Sequence, residues 1–563
     1  MHITNRGGNM EEENKQSQAV DPETGVGDVT ETTETVTSAA PPEADIPEAV
    51  AVSDAPVESP YSNKLLRGLD NFYGVTQKKS SIKVEIFAGI ATFLAMCYIL
   101  VVNPNMILGD EPGSLWGSVF IATALGAIVG TLLMSFVAKM PYAQAPGMGL
   151  NSQVGALLGG YAAGAGTYVF SFGTAMLLVL ISGLIFLLLS IVPGGKDKET
   201  GKFKSLREYI FDGIPEAVRK AIPVGIGLFI AYIGFQNAGI IQANAYTVSD
   251  LVVFNVYTPS IGDYVASGAV ICFVGLIAIA ILSHFKVKAA VVIGIIISTL
   301  IAIPMGVADV NTLAGSGNVS WAFWENFADF FSMEKGTGTF LSAFWDVDFS
   351  GASVMFCIMT VVSFCMIDMF DTMGTITGCS ARAGLVDEKG KPLALDKCMY
   401  ADSIATCTGA IFGTSTVTTF VESGAGVAVG GKTGLTSLVT AVLFFLSIFL
   451  LPLFAFIPSA AAACALVYVG VLMMSNVKSI DFSSVKNAVP AFLTIIVMPL
   501  GYSITDGIGV GLLMYLIIAL LEYVIGLIVA AAKHVERPAF DIPIVTIVVS
   551  VLFAVYFFVP NTI

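Results

Sequence analysis

Long apolar runs recur along this chain, separated by short polar connections. Runs of spanning length lie near 86–108, 116–138, 169–192, 221–241, 265–283, 288–306, 353–373, 400–414, 433–453, 458–475, 488–504, 507–530 and 540–559. A helix needs about 20 apolar residues to cross hydrocarbon. The pattern therefore predicts an all-α polytopic membrane protein. An outer-membrane barrel would instead show alternating stretches of about ten residues. Two further segments, 142–160 and 416–431, lie within membrane sequence but are interrupted by Gly, Pro and Thr, so they are not simple spans.

Composition agrees with this reading. Hydrophobic residues make up 55% of the 563 and charged residues 12%, where soluble domains carry about 25% charged residues. The net charge of −15 is unevenly placed. Residues 1–60 hold 13 acids against Arg6 and Lys15, with almost no aromatics. Such a composition cannot bury a core and predicts a disordered acidic tail. Nucleic acid is not among the expected partners; the lipid bilayer is.

Basic residues set the expected orientation. Clusters at Lys78–Lys83, Lys196–Lys220, His284–Lys288, Arg382–Lys397 and Lys478–Lys486 all fall on one side if both broken segments count as crossings. This predicts a cytoplasmic N-terminus, fourteen transmembrane segments and a cell-membrane location. The expected organisation is a tail at 1–80, a first seven-segment repeat at 81–306, an extracytoplasmic loop at 307–352, a second repeat at 353–532 and a C-terminal segment at 533–563. The run 540–559 reads either as a fifteenth crossing or as a helix that lies along or re-enters the membrane.

Each broken segment is the third of its half. Seven segments per half make the second repeat inverted relative to the first. Paired interrupted segments at corresponding positions mark a transporter binding site. The stretch Pro141–Asn151 carries two prolines and two glycines, and Gly413–Gly426 carries five Ser/Thr residues before Glu422. Irregular backbone at this depth is tolerated only where protein or a wet cavity satisfies it. The Thr-rich stretch favours short extended backbone. A half-helix starting near Glu422 would aim its free N–H groups and positive dipole end at the cavity.

A charge at the bilayer centre costs ~2.5–3.5 kcal/mol on insertion scales and is a functional candidate by default. Asp368 and Asp371, at i and i+3, share a helix face; a helix break is expected after them at Gly374. Two close carboxylates repel, so one of them can carry a proton without any histidine. Glu422 and Asn151 stand on the broken segments. Asp402, Asp506 and Glu522 read as structural or interfacial. The eight cysteines form no CxxC pair and the three histidines avoid mid-membrane positions, so no metal is expected. No nucleophile–base pair or phosphate loop points to an enzyme.

At these residues the chain resembles the nucleobase–cation symporters of the xanthine/uracil/ascorbate permease family, in particular their AzgA-type adenine/guanine/hypoxanthine branch. The matching stretches are Glu85–Pro104, Ala145–Asn151, Asp368–Thr375 and Glu422–Gly434. The resemblance implies a 7+7 inverted repeat with a short strand and half-helix in segments three and ten. Segments one to four and eight to eleven would form a core domain, and the rest a gate. It implies that Asp368, Glu422 and Asn151 bind the purine, with Ser423, Gly424 and Met148 completing the site. Asp371, Asp368 and Glu422 would couple a proton, the coupling ion taking the place of any cofactor, and a homodimer is implied. Ser152-Gln153 stands where the branch often has an aromatic.

The chemistry fits a purine nucleobase: carboxylates accept ring N–H groups in charge-assisted bonds, and half-helix N–H groups donate to an oxo group. The expected function is proton-coupled purine import by alternating access. A xanthine/uracil permease is the alternative, and an anion transporter of the same architecture is further off.

Overall fold

The computed structural model of the protein describes residues 59–108, 114–158, 170–196, 203–244, 248–254, 266–287, 289–308, 320–350, 354–387, 391–534 and 539–558. Most of the acidic tail, at 1–58, lies outside them.

The described chain is built from helices. The first half contains α1 (Lys64–Tyr73), α2 (Ile82–Met96), α3 (Ile99–Leu108), α4 (Ser114–Leu133), α5 (Met148–Leu157), α6 (Phe172–Ile191), α7 (Leu206–Asp212), α8 (Glu216–Asn237), α9 (Ser267–His284) and α10 (Ala290–Ala302). A connecting region carries α11 (Phe323–Phe331) and α12 (Ser342–Trp345). The second half contains α13 (Val354–Ala383), α14 (Leu395–Phe412), α15 (Ser423–Val429), α16 (Gly434–Ser447), α17 (Leu451–Ala455), α18 (Ser459–Met474), α19 (Val485–Leu500), α20 (Ile504–Lys533) and α21 (Ile544–Phe558). Nine helical stretches among the described residues are long and apolar enough to cross a membrane, and α10, α19 and α21 are shorter apolar helices.

Six short strands accompany them: β1 (Gln144–Pro146), β2 (Pro193–Lys196), β3 (Phe203–Ser205), β4 (Ile241–Asn244), β5 (Val248–Leu251) and β6 (Val417–Thr419). Strands β2–β3 and β4–β5 are local hairpins. The pair β1–β6 instead joins distant halves of the chain, antiparallel, with Gln144 opposite Thr419, Ala145 opposite Thr418 and Pro146 opposite Val417. Both broken segments are thus a three-residue strand followed by a short helix, as the interrupted sequence predicts. Pro146 has no N–H to donate, and Gly147 leads into α5 in an extended conformation.

Local signals explain the remaining boundaries. Ser81, Ser171 and Ser503 cap α2, α6 and α20 by accepting the N–H groups of Val84, Thr174 and Asp506. Gly413 ends α14 with φ +91°, a conformation that favours glycine.

Several expectations need correction. The expected tail boundary at residue 80 is too late, because Lys64–Tyr73 form the helix α1, and Tyr73 at its end hydrogen-bonds Ser135. Helix α13 does not break at Gly374; it continues nine residues further to Ala383. A lone glycine costs only about 1 kcal/mol in a helix interior, and packing on both sides of it outweighs that. The region 307–352 is more than a loop. Leu341 N–H bonds Ile411 O, the Ser118 hydroxyl bonds Thr337 O, and Gly173 N–H bonds Asp346, so α11 and α12 are fastened to α4, α6 and α14. The run 540–559, which the sequence left open, contains α21, and this helix lies antiparallel along α20: Phe540 meets Tyr523, Ser550 bonds Leu512 O, and Phe553 fills the space over Gly509.

Candidate functional site

The strand pair brings the two half-helices α5 and α15 together. Thr418 packs over Gly147, where a Cβ would meet its Oγ1 at 3.0 Å. A side chain at 147 would have to push the Thr418 side chain aside. Gly147, Met148 and Gly149 from the first broken segment and Thr419, Phe420, Val421 and Glu422 from the second line a narrow cavity. Asp371 of α13 completes one wall, while Ile226 and Ile230 of α8 and Val469 and Met473 of α18 face it from across. Its volume is about 30 Å³, room for a water or two and not for an aromatic bicycle.

Glu422 sits at the N-cap of α15, as the sequence predicts. Its side chain does not cap the helix; Oε1 accepts a 2.6 Å hydrogen bond from the Tyr98 hydroxyl. That hydroxyl also lies 3.6 Å from Met148 Sδ. Segment 82–108 thereby touches both broken segments at one residue. Tyr98 was not legible as a site residue, because a tyrosine in an apolar run is ordinarily core.

The two α13 carboxylates divide differently from the expectation. Asp371 lines the cavity, and Thr418 Oγ1 donates to it at 3.4 Å. Asp368 does not line the cavity. It is buried behind it, accepts the Thr406 hydroxyl at 2.8 Å through Oδ2, and has the Asp402 carboxyl beside it. One helical turn is enough to move a carboxylate from the cavity wall to the interior.

Asp402, read from the sequence as structural or interfacial, is buried two turns inside α14. Its Oδ1 accepts from Gln144 Nε2 at 2.6 Å, Thr372 Oγ1 at 2.8 Å and Thr419 Oγ1 at 3.3 Å. It ties β1, β6 and α13 into one block. The signal that could have found it was the polar pair Asp402-Ser403 at the middle of α14, between Met399 and Ile404. Asp506 is the first-turn acid of α20, and Glu522 pairs with Lys486.

Asn151 is wholly buried and off the cavity surface. It accepts a hydrogen bond from the Ser415 hydroxyl and reaches Pro146 O at 3.4 Å. It shapes the site by holding the two broken segments together. Ser423 does the same: its hydroxyl accepts from Ala143 N–H at 3.0 Å. Gly424 follows Glu422 on α15, and a Cβ there would meet Arg382 Nη1 at 3.4 Å.

Above α5 the cavity is closed. Gly149 packs against Ile504 and Ile226. Gln153 Nε2 donates to Thr505 Oγ1 at 2.8 Å, and Thr505 shares a 2.5 Å hydrogen bond with Ser363. Gln153, the departure from the branch pattern, thus belongs to a polar cluster joining α5, α13 and α20.

Below α15, Glu85 anchors the far end. It is fully buried and accepts from Lys432 N–H, Thr433 N–H and the Thr436 hydroxyl.

Residues 83–510 match the sequence profile of the xanthine/uracil permeases, described as a permease family. The chain belongs to that family. It is 37% identical to the guanine/hypoxanthine permease PbuO of Bacillus subtilis, over 79% of this chain and 93% of the relative. It is 34% identical to the adenine permease AdeP of Escherichia coli, over 79% and 89%. These likenesses agree with the AzgA-type branch. The fold resembles the transmembrane domain of the cyanobacterial bicarbonate transporter BicA, with TM-score 0.50 at 15% identity, covering 76% of this chain and 96% of that one. It also resembles the murine anion transporter Slc26a9 in its inward-facing state, with TM-score 0.52 at 12% identity, covering 84% and 74%. This permease is a multi-pass membrane protein of a family of transporters, not of enzymes.

Proposed function

We propose that this permease imports purine nucleobases across the cell membrane by proton symport with alternating access. The observation that carries the reading is the pair of acidic groups, Asp371 and Glu422, on the wall of a cavity that also holds the start of half-helix α15. Carboxylates accept ring N–H groups in charge-assisted bonds, whereas the first N–H groups of α15 are already bonded, Ser423 to Phe420 O, Gly424 to Val421 O and Ala425 to Glu422 O. Met148, Ile226 and Ile230 supply apolar surface for the ring faces. The relatives named as adenine and guanine/hypoxanthine permeases support the substrate class.

Fourteen segments in two inverted sevens account for the antiparallel β1–β6 pair, since an inverted repeat brings the two broken segments together head to head. In this reading the N-terminus is cytoplasmic. The core domain comprises α2–α6 and α13–α17 with β1 and β6, and the gate comprises α8–α10 and α18–α20. The cavity lies between them. Its small volume means that purine enters only as core and gate separate. Asp371 and Glu422 contact the base; Asp368, behind them, holds the coupling proton together with Asp371. One proton moving down about 100 mV supplies ~2.3 kcal/mol, equivalent to a roughly 50-fold concentration ratio.

The test is uptake of radiolabelled hypoxanthine, guanine and adenine into cells lacking their own purine carriers, with and without a protonophore. Accumulation that collapses with the protonophore supports the reading. Absence of uptake of all three by well-expressed protein overturns it.

A further inference from the structure

Helix α13 exposes two different kinds of surface. Near its start the exposed residues are Val354 at 74% and Ile358 at 49%, apolar as a lipid-facing position should be. Beyond Asp371 the exposed positions are Gly374, Thr377, Gly378, Ala381 and Arg382. Asp371, Gly374, Gly378 and Arg382 follow one another at spacings of three, four and four residues, so they line one helix face. A Cβ built at Gly374 or Gly378 meets nothing within 4 Å. The two glycines therefore front open space and serve no close packing contact.

The strip begins at the cavity, because Asp371 lines it. It ends at α15, because Arg382 Nη1 stands beside Gly424. On the facing segment Val421, which also lines the cavity, is 41% exposed, and Ala425 and Ala428 follow it with partial or full exposure. A small-residue, cation-ended strip that starts at two carboxylates is a poor surface for lipid and a good one for water. The opposite side of the cavity is shut by Gly149 against Ile504 and by the Gln153–Thr505–Ser363 cluster.

We infer that the strip Asp371–Gly374–Gly378–Arg382 is the aqueous route between the cavity and the side of the membrane on which Ala383 lies. The two glycines leave width for a planar heterocycle, and Arg382 offers guanidinium donors to the acceptor edge of the departing base at the mouth. This rests on the proposed function for the identity of the substrate and for calling that side cytoplasmic.

Two measurements on the full-length protein test it. The first is labelling of Gly378→Cys by a membrane-impermeant thiol reagent in inside-out and right-side-out vesicles, with the unsubstituted protein as the background for its own cysteines. The route predicts labelling in inside-out vesicles alone, slowed by hypoxanthine. Absence of labelling from either side, as at a lipid-facing position, overturns it. Labelling that hypoxanthine does not slow keeps the route and counts against the purine reading instead. The second compares Gly378→Leu with Gly378→Ala. There is room for either side chain, so both should fold. Leu should lower the maximal uptake rate by about tenfold or more while equilibrium hypoxanthine binding is retained, the pattern of a blocked step and not of a lost binding contact. Unchanged transport by a well-expressed Gly378→Leu variant overturns the route.

Discussion

Tyr98 donates a 2.6 Å hydrogen bond to Glu422 across 324 residues of chain. The bond joins the segment that runs beside both half-helices to the acid at the start of one of them. A hydrogen bond to a charged group contributes ~1.5–3 kcal/mol. Tyr98→Phe keeps the ring and its packing but frees the carboxylate to turn. The expected outcome is a rise in purine KM of about ten- to hundredfold, with expression and thermal stability near wild type. Uptake kinetics on purified protein in liposomes check it.

Asp371 and Asp368 should separate in function. Asp371 borders the cavity and Asp368 does not. Asp371→Asn should weaken purine binding by about a hundredfold, the scale of a lost charge-assisted contact. Asp368→Asn should leave KM within about threefold and alter the pH profile of uptake instead, as removal of a group that does not touch the base would. Side-by-side KM values and pH profiles decide it. Equal KM effects would argue against the division of roles.

The Gln153–Thr505–Ser363 cluster should hold the cavity shut on its side. Thr505→Val deletes the hydroxyl that serves both partners at almost constant volume. Each hydrogen bond contributes ~0.5–1.5 kcal/mol net. Amide hydrogen exchange around Gly149–Gln153 and Ile504–Ile508 should accelerate by about tenfold, with little change elsewhere.

Glu85 should matter for stability more than for substrate. Glu85→Ala leaves the buried N–H of Thr433 and the part-buried N–H of Lys432 without their acceptor, at a cost of about 1–3 kcal/mol for the buried one. A fall of several degrees in the apparent melting temperature in detergent, with KM of the surviving protein close to wild type, is the expected result. A melting temperature that does not move would contradict the anchoring role.

The broken segments, the half-helix at Glu422 and the acids of α13 were legible in the sequence, because each violates the rule that membrane-embedded sequence is apolar and uninterrupted. Those violations are costly in lipid and persist where protein or water compensates them. The partners of these residues were not legible. Tyr98, Thr406 and Thr505 break no local rule, and their importance comes from contacts between distant segments. Asp368 and Asp371 were found together but could not be ranked, since a shared helix face spans both the cavity wall and the interior behind it. Gly374 misled for a related reason: it was read as a break, whereas it marks an open face on a continuous helix.

The strands β1 and β6 meet although Gln144 and Thr419 are 275 residues apart. During synthesis at ~5–20 residues per second, the first broken segment is therefore inserted roughly a quarter of a minute to a minute before its partner exists. Through that interval its backbone groups have no strand to pair with, in a bilayer that offers no substitute. Completion of the strand pair is thus a late maturation step, and it should also serve as a biosynthetic checkpoint. Chains truncated or delayed before residue 419 would present an unpaired polar edge to the machinery that removes unfinished membrane proteins.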